Sequence, residues 1–389
     1  MDEKKSPTGK KDLFDFNASF ILMFAYVIYL AVMIFLQRMV FNNTFNSNND
    51  YNYFIFIFIS FLIGIFVTLA VYNGTKVLVA KKAGYAIVYT TILGLTFDHS
   101  HEKTKITFNF FAIGNMEMKF APKDENVEHN PRSIFLAGYI SSIILLAIGF
   151  VMFFALSFGK GVNMTSYIGY MGLFAAIYGF IIPIYELMPF RQDLPNDMFN
   201  LLNTKTEETR RNFNILNINR RRELNGQEFI VPASSDDTTY YSIHVLYYVY
   251  LDHLYKNELE AAVAVLDKMK ENRKKFDDTD KYIISAESLY LRYLIEDITG
   301  ADNVYLTLKG EEKSAITNPS ELSDFRTSLF VVGFVTSEKD PVNEVITKFK
   351  AKIDTLEKSE RVNKEIALFG QAYKTLREKK PELSLSENY

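Results

Sequence analysis

The chain has 389 residues, 43 basic and 46 acidic side chains, a formal charge of −3 and no cysteine. So small a net charge argues against a nucleic-acid partner, and the missing thiols exclude disulfides, cysteine nucleophiles and thiolate metal sites. The average conceals a division: long uncharged runs rich in Phe, Ile, Tyr and Leu fill the first half, and Lys, Glu, Asp and Asn dominate the second.

Residues 1–17 mix four lysines with four acids and read as a cytosolic tail. The apolar run after them, a span over 18–37, is too long for a signal-peptide core and reads as a retained anchor. A second span covers 53–75 and ends in Asn73, Gly74, Thr75 and Lys76, with Lys81 and Lys82 one turn later. From 85 to 120 the residues turn β-branched and aromatic, with DHSHEK between two such runs, which predicts a β-hairpin associated with the membrane. Third and fourth spans follow over 134–157 and 167–188, the third opening on the small residues Ala137, Gly138, Ser141 and Ser142, the fourth holding a kink-forming Pro183.

The Lys and Arg count sets the orientation. Lys4, Lys5, Lys10, Lys11, Lys76, Lys81, Lys82 and Arg132 flank one side of these spans, against Lys160 and Arg38 on the other. Both termini are expected in the cytoplasm. The expected fold is mainly α: a four-helix polytopic membrane core over 18–204, then a helical cytosolic bundle or short solenoid over 205–389. Arg210, Arg211, Arg220, Arg221 and Arg222 open that second part as a solvated or lipid-facing basic stretch. Amphipathic helices are expected over 240–257, 258–272, 279–298, 321–335, 341–358 and 360–379.

Three segments, VYNGTKVLVAKKAG, NPRSIFLAGYISSIILL and ELMPFRQDLPNDMFNLL, together resemble the site-2 protease family of intramembrane zinc metalloproteases. Ala80 and Gly84 set the first match, which places Tyr72, Asn73 and Lys76 on the family's HExxH letters. Ala137 and Gly138 match in the second, with Tyr139 where the family has Pro. Glu186, Pro189 and Asp197 match the third, Asp197 after three inserted residues. The resemblance covers about Tyr53 to Leu202 and implies a membrane-associated β element between its first two segments. It also implies zinc held by two His and one Asp, with a Glu activating water. Here Tyr72 and Lys76 stand for the histidines and Asn73 for the base, and a lysine ammonium has no lone pair to offer a metal. The implied protein is a catalytically degenerate member without zinc, with Lys76 paired to Asp197 or Glu186 in the metal's place. Lys76, Gly138, Pro189 and Asp197 are then the binding residues. The run YVYLDHLYKNELEAAVAVLDKM resembles a tetratricopeptide unit.

His99 and His101, in the expected hairpin turn, are the other candidate metal ligands. Three functions follow as expectations. The first is a non-catalytic, site-2-protease-like pseudoprotease in a bacterial plasma membrane, binding or regulating a membrane peptide or partner membrane protein; the family implies bacteriocin or peptide processing, or immunity. The second is an active metallopeptidase using His99, His101 and Asp197. The third is a membrane-anchored scaffold or transporter accessory subunit whose cytosolic helices hold a protein partner. The lipid bilayer is a partner in all three.

Overall fold

The computed structural model of the chain describes residues 27–35, 37–39, 50–99, 104–110, 117–158, 164–187, 195–225, 227–232, 239–276, 278–356 and 359–387. It is mainly helical, with one small antiparallel sheet. Its contacts divide it into two compact units, Met1–Asn214 and Ile215–Tyr389, the division falling within a helix.

In the first unit, α1 (Val27–Met39) is a shorter apolar helix, and half of the expected first span lies outside the described residues. Among the described residues, three helical stretches are long and apolar enough to cross a membrane: Ile55–Lys82, Arg132–Leu156 and Met164–Glu186. The first belongs to α2 (Asp50–Lys82), which carries the helix a full turn and more beyond the expected end at 75. It stops at Gly84, whose φ of +83° and close approach to the His129 ring leave no room for a side chain.

The expected single hairpin over 85–120 is instead a four-stranded sheet of β1 (Tyr85–Ile92), β2 (Leu95–Asp98), β3 (Lys105–Phe108) and β4 (Met118–Pro122), in the order β3-β2-β1-β4. The run read as one strand folds back on itself because Leu93 and Gly94 both take positive φ, 51° and 77°, and make a two-residue turn. Register then sorts the side chains. Leu95 faces Phe108 and Phe97 faces Ile106 on one side of the β2–β3 ribbon, while Thr96 faces Thr107 and Asp98 faces Lys105 on the other. β1 is pinned to the helices by Tyr85, whose hydroxyl donates to Asn214 Oδ1 at 3.0 Å.

α3 (Arg132–Leu156) and α4 (Met164–Gly179) pack on α2 through small residues. A Cβ at Gly64 would strike the Ala175 carbonyl, one at Gly179 would strike the Thr68 hydroxyl, and one at Gly149 would strike the Ala176 methyl. Close backbone approach is how helices gain packing energy where lipid removes the hydrophobic drive. The fourth span breaks at Phe180, between α4 and α5 (Ile181–Glu186). Pro183 is the cause: it offers no N–H to Gly179, four residues back, and its ring crowds that carbonyl.

A short helix, α6 (Asp197–Asn203), and a longer one, α7 (Glu207–Leu224), follow. Within this unit Phe213 of α7 packs edge-on against Phe135, ring centroids 5.6 Å apart, and both meet Phe120 of β4.

The second unit is a bundle of α8 (Tyr240–Tyr255), α9 (Leu259–Glu271), α10 (Asp278–Leu294), α11 (Ile298–Thr307), α12 (Gly310–Thr317), α13 (Leu322–Val331), α14 (Lys339–Asp354) and α15 (Glu360–Lys379). The expected helix over 279–298 divides at Glu296, which takes φ of 65°, and α12 occupies a stretch to which the sequence pattern assigned no element. The expected helix over 321–335 changes to a π turn at Val332–Thr336, and α14 begins before Pro341, which sits in the first turn where its missing N–H costs nothing. The α8–α9 pair forms a helical hairpin with Asn257 in the left-handed region at its turn. The bundle closes on itself, however: Tyr255 of α8 donates to Glu365 of α15 at 2.8 Å. Its interior holds Arg326, fully buried, which grips Glu287 with two nitrogens at 2.7 and 2.9 Å and Glu365 with a third at 3.0 Å, under a Tyr250 hydroxyl that donates to Glu287.

Candidate functional site

The site stands where α2, α3, α5 and α6 meet. α2 carries Tyr72, Asn73 and Lys76 within little more than one turn, so that Tyr72 and Lys76, four apart, share a face. α3 supplies Gly138 and Tyr139. Glu186 is the last residue of α5, and Asp197 the first of α6.

Lys76 and Asp197, 121 residues apart, form a buried ion pair: Nζ lies 2.8 Å from Oδ1 and 2.7 Å from Oδ2. The Tyr72 hydroxyl donates to the same Oδ2 at 2.8 Å. Both oxygens of Asp197 are thereby engaged. Tyr72 reaches this far because Gly138 has no side chain; a Cβ there would fall inside the tyrosine ring, within 2.7 Å of its Cε1.

The far side is a clasp between α5 and α6. Tyr139 donates to the Glu186 carbonyl at 2.6 Å, and Asn196 Nδ2 adds a second, longer bond at 3.3 Å. The amide of Asp197 donates to Glu186 Oε2 at 3.2 Å. Asn196 also caps α6, its Oδ1 accepting from the Phe199 amide at 3.0 Å. These bonds hold the two carboxyl groups at one corner and fix where Asp197 presents itself to Lys76.

Asn73 turns toward the sheet. Its Nδ2 donates to the Thr91 carbonyl of β1 at 3.2 Å, while its Oδ1 is buried without a partner. Lacking a titratable proton acceptor, it cannot act as the base that a water-activating site needs.

The structure therefore brings Tyr72, Lys76, Gly138, Glu186 and Asp197 together and sets Asn73 at their edge. Pro189 and His101 lie outside the described residues. His99 stands exposed at the end of β2, its Nδ1 2.8 Å from the Thr104 hydroxyl. Among the described residues no three His, Cys, Asp or Glu side chains gather closely enough to hold a metal. Sequence reading missed Tyr139 and Asn196 as site residues. A tyrosine among the apolar residues of a span was the available signal for the first; Asn before Asp at a helix start was the signal for the second.

Comparison with known protein families, curated proteins and solved structures returns no match.

Proposed function

We propose that this is a non-catalytic membrane protein, built on a site-2-protease-like plan, that holds a membrane-spanning peptide segment without cleaving it. The observation that carries the reading is the engagement of Asp197 by Lys76 and Tyr72. These are the two positions that the resemblance gives to zinc-binding histidines. An ammonium and a phenol there fill the carboxylate's lone pairs from within the protein, and the donor set does not fit a zinc ion, which takes imidazole nitrogens or free carboxylate oxygens.

The enzyme alternative would need His99, His101 and Asp197 on one metal. Asp197 is committed to Lys76, and His99 to Thr104, which weighs against it. The scaffold alternative puts a protein partner on the helices of the second unit. The buried charges of that unit, Arg326, Glu287 and Glu365, pair with one another and are not left for a partner. The plasma-membrane location, the cytoplasmic termini and a part in bacterial peptide processing or immunity belong to the same proposal.

The test is binding and integrity together. The full chain is reconstituted in lipid nanodiscs with a fluorescent leucine–alanine transmembrane peptide of about 22 residues. Saturable energy transfer with a peptide of unchanged mass is expected. Cleavage of the peptide, or transfer no greater than in protein-free discs, overturns the reading.

A further inference from the structure

The charges at the site do not balance. Within the cluster stand two carboxyl groups, Asp197 and Glu186, both buried, and one ammonium, Lys76. Asp197 uses both oxygens on Lys76 and Tyr72. Glu186 takes one hydrogen bond, from the Asp197 amide to Oε2, and among the described residues no cation stands within ion-pairing distance of it.

We infer that the segment held at this site presents a positive charge to Glu186, a lysine or arginine side chain carried at the level where the spans end. The inference rests on the peptide-binding reading above and adds the chemistry of its ligand. A buried carboxylate without a counter-charge is costly, and a cation delivered by the ligand offsets that cost while keeping its own stem among apolar side chains. Lys76 cannot serve, because leaving Asp197 would only move the deficit. An uncharged segment leaves Glu186 without a counter-charge, and an acidic one adds a third carboxyl group.

Three leucine–alanine peptides of about 22 residues, identical except for one position in the last two turns, are titrated against the full chain in nanodiscs. That position holds lysine, norleucine or glutamate. The lysine peptide is expected to bind about tenfold more tightly than the norleucine peptide, and the glutamate peptide more weakly than either. Glu186→Gln is expected to remove the preference for lysine, and Glu186→Asp to keep part of it. Should Glu186→Gln not fold, the glutamate peptide on the unaltered chain decides: if it binds as well as the lysine peptide, the inference falls. Equal binding of all three peptides, or a preference for lysine that survives in a folded Glu186→Gln chain, likewise overturns the inference and leaves the peptide-binding reading standing. If none of the three binds, the peptide-binding reading itself fails.

Discussion

Gly138 leaves the space that the ring of Tyr72 fills. Without that gap between α2 and α3, the tyrosine hydroxyl would not reach Asp197, and Oδ2 would lose its second donor, keeping only Lys76. Gly138→Ala is therefore expected to destabilise the chain by about 1–3 kcal/mol through overpacking. The loss should be largely recovered in the double variant Tyr72→Leu, Gly138→Ala, where the smaller side chain makes room. Thermal unfolding of the two variants in detergent checks both statements.

Lys76→Met strands a buried carboxylate. The expected cost is about 3–5 kcal/mol, and the paired change Lys76→Met, Asp197→Leu should recover most of it, because the desolvation of both charges disappears together. Unfolding midpoints of the single and double variants, measured side by side, give the answer. An unchanged midpoint for Lys76→Met would show that the pair does not hold α2 to α6.

Introducing metal-binding letters at these positions tests the geometry directly. The triple variant Tyr72→His, Asn73→Glu, Lys76→His places two imidazoles one turn apart opposite an Asp197 released from its ion pair. One zinc ion per chain is expected by elemental analysis of purified protein, and none in the same chain carrying Asp197→Ala as well.

In the second unit, Arg326→Met leaves Glu287 and Glu365 facing one another in a dry interior. A loss of about 3–5 kcal/mol is expected. Tyr250→Phe, which removes only the hydroxyl bonded to Glu287, should cost about 1.5–3 kcal/mol. Amide exchange in α8, α10, α13 and α15 of the full chain should rise for the first variant in all four helices at once.

Burial raises the Asp324 carboxyl above its ordinary value, against the opposing hydrogen bond from the Glu321 amide and with added repulsion from Glu287. Its proton is thus bound more tightly in the folded chain than in the unfolded one. The contribution is full below the ordinary aspartate range and is lost as pH rises through the raised folded value. Asp324→Asn keeps an acceptor for the Glu321 amide, so the stability difference between variant and natural chain should grow in the variant's favour from pH 4 to pH 7. Denaturant titrations across that range check the sign.

Much of this protein is legible along the chain. The apolar runs announce helices of membrane length, because about twenty uninterrupted apolar residues have no other stable setting. Pro183 announces the break in the fourth stretch, and the switch from β-branched to amphipathic patterns separates sheet from bundle. Tyr72 and Lys76 sharing a face follows from the helical period alone. The four strands in place of one hairpin were not legible, because the turn depends on Leu93 taking positive φ, which a leucine ordinarily avoids. α12 was hidden as well: its short polar run GEEKSAIT has no clear apolar period and gains its place by burying Ile316 against the bundle.

The residues themselves determined which groups are available at the site: an ammonium and a phenol where imidazoles would be needed, an amide where a base would be, and two carboxyl groups far along the chain. Only the tertiary structure decided how they are spent. Whether Lys76 meets Asp197 or Glu186 depends on the clasp that Tyr139 and Asn196 make on the Glu186 carbonyl, and on the gap at Gly138 that admits Tyr72. The hydrogen bonds of Tyr139 to Glu186 and of Tyr72 to Asp197 join residues 47 and 125 positions apart. No local period encodes them, because hydrogen bonds of a few ångströms between distant segments exist only once the helices have packed.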